Sequence, residues 1–229
     1  MGIFSPVIRE YLSNVSHYAH GRLLDVGCGD KPHRAIFTGV DTYIGLDRPS
    51  EIYANYTQIN KRKLAIDIVA SADAIPFCDN SFDTVLATQL IEHLAEPQVF
   101  FTEGARVLCG GGVLIITFPL VNQVHEQPYD FFRYTEFGVR HLCKKAGLEV
   151  SEVIPMGGGW LTIGYLVRVL LEPLGPRKGS NLGRILRQRM GLIIYQFLSR
   201  WDRYHPHPEC PLNYLVVAKK PMRGKNEKS

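Results

Sequence analysis

The sequence predicts an α/β fold: a doubly wound, mostly parallel seven-stranded sheet with a helical insertion before its last strand. Three observations carry this prediction. Short apolar strand patterns alternate with helical ones over residues 20–155, as in βαβ units whose crossover helices cover a parallel sheet. The first strand pattern, Arg22–Gly29 (RLLDVGCG), runs into glycines, and the second, Tyr43–Asp47 (YIGLD), ends in an acid. The last strand pattern, Asn213–Lys219 (NYLVVAK), arrives only after a long detour over Gly157–His207.

In chain order, Ser5-Pro6 can cap and begin a helix whose apolar positions 7, 8, 11, 12 and 15 recur at helical spacing and which ends near Gly21. After the first strand, Asp30-Lys31-Pro32 can open a helix that leads to the second. Leu64–Val69 reads as the third strand, Phe82–Ala87 as the fourth and Val113–Phe118 as the fifth, with Pro97–Leu108 as the helix between the last two. Thr135 caps a further helix that Gly147 stops, and Leu148–Ile154 follows as a strand. The detour opens with Gly157-Gly158-Gly159 and holds two helical stretches, Trp160–Glu172 and Leu182–Trp201, split at Pro173–Pro176. In the second stretch Leu186, Met190, Ile193, Phe197 and Trp201 share one face, beside Arg184, Arg187 and Arg200.

Composition bounds the function classes. With 229 residues, 45% hydrophobic and 21% charged, the chain can bury roughly 70% of its unfolded surface, which excludes global disorder and a disulfide scaffold. Five cysteines, odd in number and without a C-x-x-C spacing, suit a reducing compartment. The N-terminus carries Arg9 and Glu10 within its apolar stretch and has no basic leader, so a cytoplasmic protein is expected. Net charge is +4, unevenly spread: residues 1–165 carry −5, residues 166–203 carry +6 and the tail 219–229 carries +4. An acidic main body disfavours nucleic acid as a partner. One domain over 1–229 is expected, with 157–207 as a helical insertion or lid and 220–229 as a basic, disordered tail.

Asp25-Val26-Gly27-Cys28-Gly29 stands between a strand and a helix, where backbone must approach a nucleotide-like ligand, and glycine removes the Cβ that would block it. Asp47, 20 residues after Gly27 at the tip of the second strand, can accept hydrogen bonds from ribose hydroxyls. A dinucleotide fingerprint would need a third glycine where Pro32 stands, so a nicotinamide-dependent oxidoreductase is the weaker alternative.

These residues, with GLD at 45–47, DAIPFCDNSFDTVLATQLIEHLAEP at 73–97 and RVLCGGGVLIITFP at 106–119, resemble the class I S-adenosylmethionine-dependent methyltransferases, specifically the type 11 group. The stretch 125–150 resembles a subgroup acting on small-molecule, glycan or lipid acceptors. The resemblance implies a Rossmann-like fold, S-adenosylmethionine as cofactor, and methyl transfer to a small-molecule, glycan- or lipid-linked acceptor. It places Asp25, Gly27, Cys28 and Gly29 at the methionine end of the cofactor and Asp47 on its ribose. Ser71 occupies the family's usual acidic position at the adenine, with Ala72 supplying backbone and Asp73 as the other candidate. Thr88, Gln89 and Leu90 would line the path to the methyl group. The altered adenine position leaves open a module that binds the cofactor without turnover.

Methyl transfer is an in-line displacement, so positioning and desolvation supply most of the catalysis and a base is needed only where the acceptor must lose a proton. His125, Tyr129 and Arg133 lie in the loop after the fifth strand and are the expected catalytic residues. His125 is either a general base or a solvated loop residue; Arg133 either holds an anionic acceptor group or pairs with Asp130. Glu92-His93 reads as structural. His205, His207 and Cys210 offer donor atoms, but no second cluster completes a set, so no metal is expected. For the insertion, the alternatives are packing on the sheet, a homodimer interface, or a cationic apolar lid docking peripherally on an anionic membrane.

Overall fold

The computed structural model describes residues 5–48, 65–171 and 181–222. Leu64, the Pro173–Pro176 break and residues 223–229 of the expected tail lie outside that range. Seven strands form one sheet in the order β3-β2-β1-β4-β5-β7-β6: β1 Arg22–Val26, β2 Thr42–Asp47, β3 Ile68–Val69, β4 Phe82–Thr88, β5 Leu108–Pro119, β6 Glu149–Met156 and β7 Asn213–Lys219. The pairs β1–β2, β1–β4, β2–β3 and β4–β5 are all parallel. The helices are α1 Ser5–Val15, α2 Pro97–Val107, α3 Glu136–Lys145, α4 Gly159–Leu171 and α5 Asn181–Tyr204. The expected seven strands are therefore present, the third reduced to Ile68–Val69; among the described residues, α-helices separate β4 from β5, β5 from β6 and β6 from β7.

Two compact units divide the chain. The first spans residues 1–118, 124–154 and 215–229 and the second 119–123 and 155–214. In the first, the central strands read as continuous apolar runs because both faces are covered: Leu23, Leu24, Val85, Leu86, Ala87 and Leu114–Ile116 are fully buried. Ile8, Leu12 and Val15 of α1 and Phe100, Phe101 and Val107 of α2 are also core residues. Thr135 caps α3 as expected, its side chain accepting from the Gly138 N–H.

Three local expectations are corrected. The helix expected from Asp30 is only a 3-10 turn at Arg34–Ile36, because Lys31 adopts φ +53°, which interrupts right-handed helix geometry. The first helix stops at Val15, with a 3-10 turn at Ser16–Tyr18 before Gly21 takes φ +57° and leads into β1. The fifth strand begins five residues early, at Leu108. Its register against β4 shifts between Phe82 and Thr84, so Gly110–Gly112 lie within an irregular strand. A Cβ on Gly112 would stand 2.9 Å from the Asp83 carbonyl, the close backbone approach that glycine permits there.

In the second unit, α4 and α5 meet through glycines. A Cβ on Gly164 would lie 3.1 Å from Leu198 Cβ, and one on Gly191 3.3 Å from Arg168 Cα. The entry to α4 has unpaired N–H groups that an acceptor must satisfy. Asp202 does so: its Oδ2 accepts from Gly158 N at 2.7 Å and its Oδ1 from Trp160 N at 3.1 Å and Leu161 N at 3.3 Å. Removing a buried acceptor strands these donors, so Asp202→Ala is expected to destabilise the protein by about 2–3 kcal/mol in denaturant unfolding, and Asp202→Asn by less. Wild-type stability in Asp202→Ala would show that α4 needs no such cap.

Candidate functional site

Between β1 and the 3-10 turn the chain makes a tight glycine turn held from below by β2. Gly27 (φ +74°) and Cys28 both donate to the Leu46 carbonyl, at 2.8 and 3.2 Å. Asp47, buried at the end of β2, accepts from Gly29 N through Oδ2 at 2.8 Å and from Arg48 N through Oδ1 at 2.7 Å. Gly27 and Gly29 differ in surroundings. A Cβ on Gly27 would press Leu90 Cδ1 at 2.9 Å, whereas one on Gly29 (φ +51°) meets nothing within 4 Å. Gly29 thus borders open space, and Gly27 is packed against the segment that follows β4.

Asp25 lies under this turn and is 3% exposed. Its Oδ2 accepts from the Tyr43 hydroxyl at 2.6 Å, while Oδ1 is buried without a hydrogen-bond partner. Burial raises its pKa to about 7 and the Asp47 charge adds to the rise; Tyr43 and Lys31 oppose it. Burial also pushes the Cys28 thiol up to about 12, so it is a packing residue of the turn rather than a nucleophile. Sequence reasoning missed Tyr43, Lys31 and Asp67. Asp67 Oδ2 accepts from Gly45 N at 2.7 Å and from Lys31 Nζ, and these two bonds hold its carboxyl below the usual range.

Past β3, Ala72 is buried, Ser71 half-buried and Asp73 exposed. Ala70 N donates to the Asp47 carbonyl at 3.1 Å, tying this segment to the tip of β2. The following loop is pinned to α2: Arg106 donates to the carbonyls of Phe77 and Ile75, and Glu103 accepts from Ile75 N. After β4, Thr88 and Gln89 continue from the strand. Gln89 takes φ +50° and donates through its backbone to the Thr117 carbonyl at 2.9 Å, so β5 sets the direction of the segment carrying Leu90.

A second cluster forms where the loop after β5 meets the 3-10 turn Ile91–His93. Phe131 N and Phe132 N donate to the Glu92 carbonyl at 2.9 and 3.3 Å, and the Tyr134 hydroxyl to the Ile91 carbonyl at 3.3 Å. His125 and Arg133 are brought together through Asp130. Asp130 Oδ2 stands 3.3 Å from His125 Nδ1, and Arg133 donates to both carboxylate oxygens at 2.6 and 2.8 Å. The hydrogen bond from Arg133 holds the Asp130 carboxyl far below its ordinary value. Tyr129 is exposed, and its carbonyl stands 2.8 Å from His93 Nδ1. In the pair Glu92-His93, Glu92 is fully buried with neither carboxylate oxygen hydrogen-bonded to another group, and burial raises it to about 8 although the Arg133 charge opposes the rise.

Comparison with known proteins places this arrangement. Residues 24–116 match the methyltransferase-domain family Methyltransf_11. A ubiquinone biosynthesis O-methyltransferase of Agrobacterium fabrum is 25% identical over 95% of this chain and 84% of its own length. A probable S-adenosylmethionine-dependent methyltransferase of Mycolicibacterium smegmatis is 29% identical over 82% of this chain and 70% of its own. Among solved structures, the [4+2]-cyclase SpnF superposes with a TM-score of 0.60 at 20% identity, covering 94% of this chain and 81% of the cyclase. Phosphoethanolamine N-methyltransferase 2 of Haemonchus contortus, solved with S-adenosyl-L-methionine, gives 0.57 at 19% identity over 93% of this chain and 52% of its own.

The Asp25 environment has a stability consequence. Its carboxyl goes from an ordinary pKa of 3.8 to about 7 on folding, so its contribution is fully present below pH 4 and is lost as pH rises towards 7. The full loss is about 4 kcal/mol. Thermal melts of the unliganded protein are expected to show wild type losing stability relative to Asp25→Asn between about pH 4 and pH 7. Parallel pH curves for the two proteins would contradict the buried-carboxyl assignment.

Proposed function

Because the chain belongs to the class I S-adenosylmethionine-dependent methyltransferases of the type 11 group, it is an enzyme that uses that cofactor for methyl transfer, and we propose that its acceptor is a hydroxyl of a small, largely apolar molecule. The nicotinamide and non-turnover alternatives are set aside by that membership. The observation that carries the acceptor proposal is the loop after β5, where Tyr129, Phe131 and Phe132 are exposed and His125, in the same loop, is half-buried. Apolar rings near one positioned imidazole suit an apolar body with one polar reacting group. The ubiquinone biosynthesis O-methyltransferase, aligned over most of both chains, supports the same acceptor class; glycan- and lipid-linked acceptors are the competing outcomes.

The residues present fit the cofactor. The turn at Gly29 is open where a Cβ would otherwise project, and Asp25 lies beneath it with one oxygen that lacks a hydrogen-bond partner. In this reading Asp25, Gly27, Cys28 and Gly29 form the methionine end of the site and Asp47 meets the ribose. Ser71 and Ala72 face the adenine, and Thr88, Gln89 and Leu90 border the methyl group. The cofactor supplies the electrophilic methyl carbon. Asp47 both holds the turn and contacts ribose, so a substitution there acts on both. On the acceptor side, Asp130 orients His125 while Arg133 holds Asp130. Arg133 is therefore a positioning residue first, and His125 and Tyr129 meet the acceptor.

His125→Ala is expected to lower turnover at least tenfold while leaving S-adenosylhomocysteine affinity within about twofold by calorimetry. The acceptor is found by incubating extracts with isotope-labelled methyl donor and identifying the product by mass spectrometry. Wild-type turnover in the variant at saturating acceptor would remove His125 from the reaction; a labelled amine or carbon product would overturn the hydroxyl reading.

An apolar acceptor also suits the surface of α5, which we assign to peripheral contact with an anionic bilayer on the cytoplasmic side. Leu186, Met190, Ile193, Phe197, Trp201 and Tyr204 are all exposed and recur every three or four residues along one side. Arg184, Arg187, Arg189, Arg200 and Arg203 are exposed beside them, and the helix's single acid, Asp202, is buried at α4. No helix among the described residues is long and apolar enough to cross a membrane. An amphipathic helix with this charge lies in the interface plane, each basic residue adding about 1 kcal/mol. The protein is expected to sediment with anionic but not neutral vesicles, with salt reversing binding and Arg184→Gln/Arg187→Gln/Arg200→Gln weakening it on the order of 100-fold. Dimerisation in solution without vesicle binding would instead assign the stripe to a second copy of the chain.

A further inference from the structure

Within the first unit, the Glu92 side chain is 0% exposed and neither of its oxygens has a hydrogen-bond partner. A buried carboxylate left in this state is costly unless a proton or a cation compensates it. The groups around it favour a cation. His93 Nε2 stands 3.9 Å from Glu92 Oε1 and 3.8 Å from Glu126 Oε2. The His125 ring meets the His93 ring edge to face, with centroids 4.8 Å apart. One donor atom from each of Glu92, His93 and His125 lies within 4.8 Å of the other two, so small side-chain adjustments bring all three to one ion.

The surroundings are those of a ligand set held in place. His93 Nδ1 stands 2.8 Å from the Tyr129 carbonyl, and His125 Nδ1 stands 3.3 Å from Asp130, which Arg133 fixes in turn. Each imidazole thus has one nitrogen engaged by a backbone or carboxylate oxygen, the outer-shell pattern that orients metal-ligating histidines. The backbone bonds from Phe131 and Phe132 to the Glu92 carbonyl fix the two chain segments against each other. Glu126 brings a further oxygen from the loop side.

We propose that Glu92, His93 and His125 form a binding site for one divalent transition-metal ion, with Glu126 as a fourth oxygen donor. Two imidazoles and one carboxylate suit zinc, manganese, cobalt or nickel rather than calcium or magnesium, which prefer oxygen-rich sets. The proposed site departs from the sequence expectation of no metal, and it deepens the proposed function by resting on the reading that the acceptor lies beside His125. A bound ion would polarise an acceptor hydroxyl and lower its pKa, its proton passing to solvent, so that the oxygen could bond to the methyl carbon as the sulfonium S–CH3 bond breaks and leaves the neutral thioether S-adenosylhomocysteine. His125 then acts on the acceptor through the ion rather than as a free base.

The test is titration of the chelator-treated full-length protein with zinc against a chromophoric competitor, with cobalt absorption as a report on the ligand set. Wild type is expected to bind one equivalent at Glu92, His93 and His125. Glu92→Gln, which keeps the shape and removes the charge, and His125→Ala are each expected to weaken binding at least tenfold. His205→Ala/His207→Ala is expected to leave it unchanged. Asp130→Asn, which leaves every ligand in place, is expected to weaken binding tenfold or more and to shift the cobalt spectrum. Failure of wild type to bind an equivalent, or unchanged affinity in Glu92→Gln and His125→Ala, overturns the site. Methyl transfer by metal-free protein at the full rate overturns the ion's catalytic role while leaving the hydroxyl-acceptor reading intact. Ion binding together with a labelled product methylated elsewhere than on oxygen overturns that reading and leaves the site.

Discussion

The hydrogen bond from Gly29 N to Asp47 Oδ2 is the constraint on which the glycine turn after β1 depends. It joins the turn after β1 to the end of β2, while Gly27 and Cys28 donate to the Leu46 carbonyl one residue before. The turn is therefore held by its neighbouring strand rather than by its own sequence. Two glycines at positive φ are the condition for it. The same strand carries Tyr43, which supports Asp25, and the Gly45 N–H, which fixes Asp67 and through it Lys31. One strand thus sets the position of three carboxylates around a turn that leaves open space at Gly29.

Buried acids recur on both sides of the site, and their neighbours decide their states differently. Asp25 and Glu92 are deeply buried with at least one unpartnered oxygen, and burial raises both. Asp130 has a paired guanidinium and stays ionised, which makes it a fixed negative group beside His125. A ligand cation, a proton or a metal ion is the natural partner of the first two, whereas Asp130 already has its partner within the protein.

What the sequence by itself determined was periodicity and punctuation. Seven strands, the glycine turn, the acid that ends β2, the Thr135 cap and the two long helices were legible because alternation, helical spacing and glycine act locally. It did not show that the helix expected from Asp30 is absent, since Lys31 takes positive φ and its side chain bonds Asp67, 36 residues away. Nor did it determine β5, whose early start at Leu108 and glycine irregularity follow from its register against β4. The roles of Tyr43, Asp130 and Glu92 were likewise decided only by tertiary structure. Burial and pairing of a charge depend on which distant segments enclose it, and desolvation acts through space, where residue spacing along the chain carries no record of it.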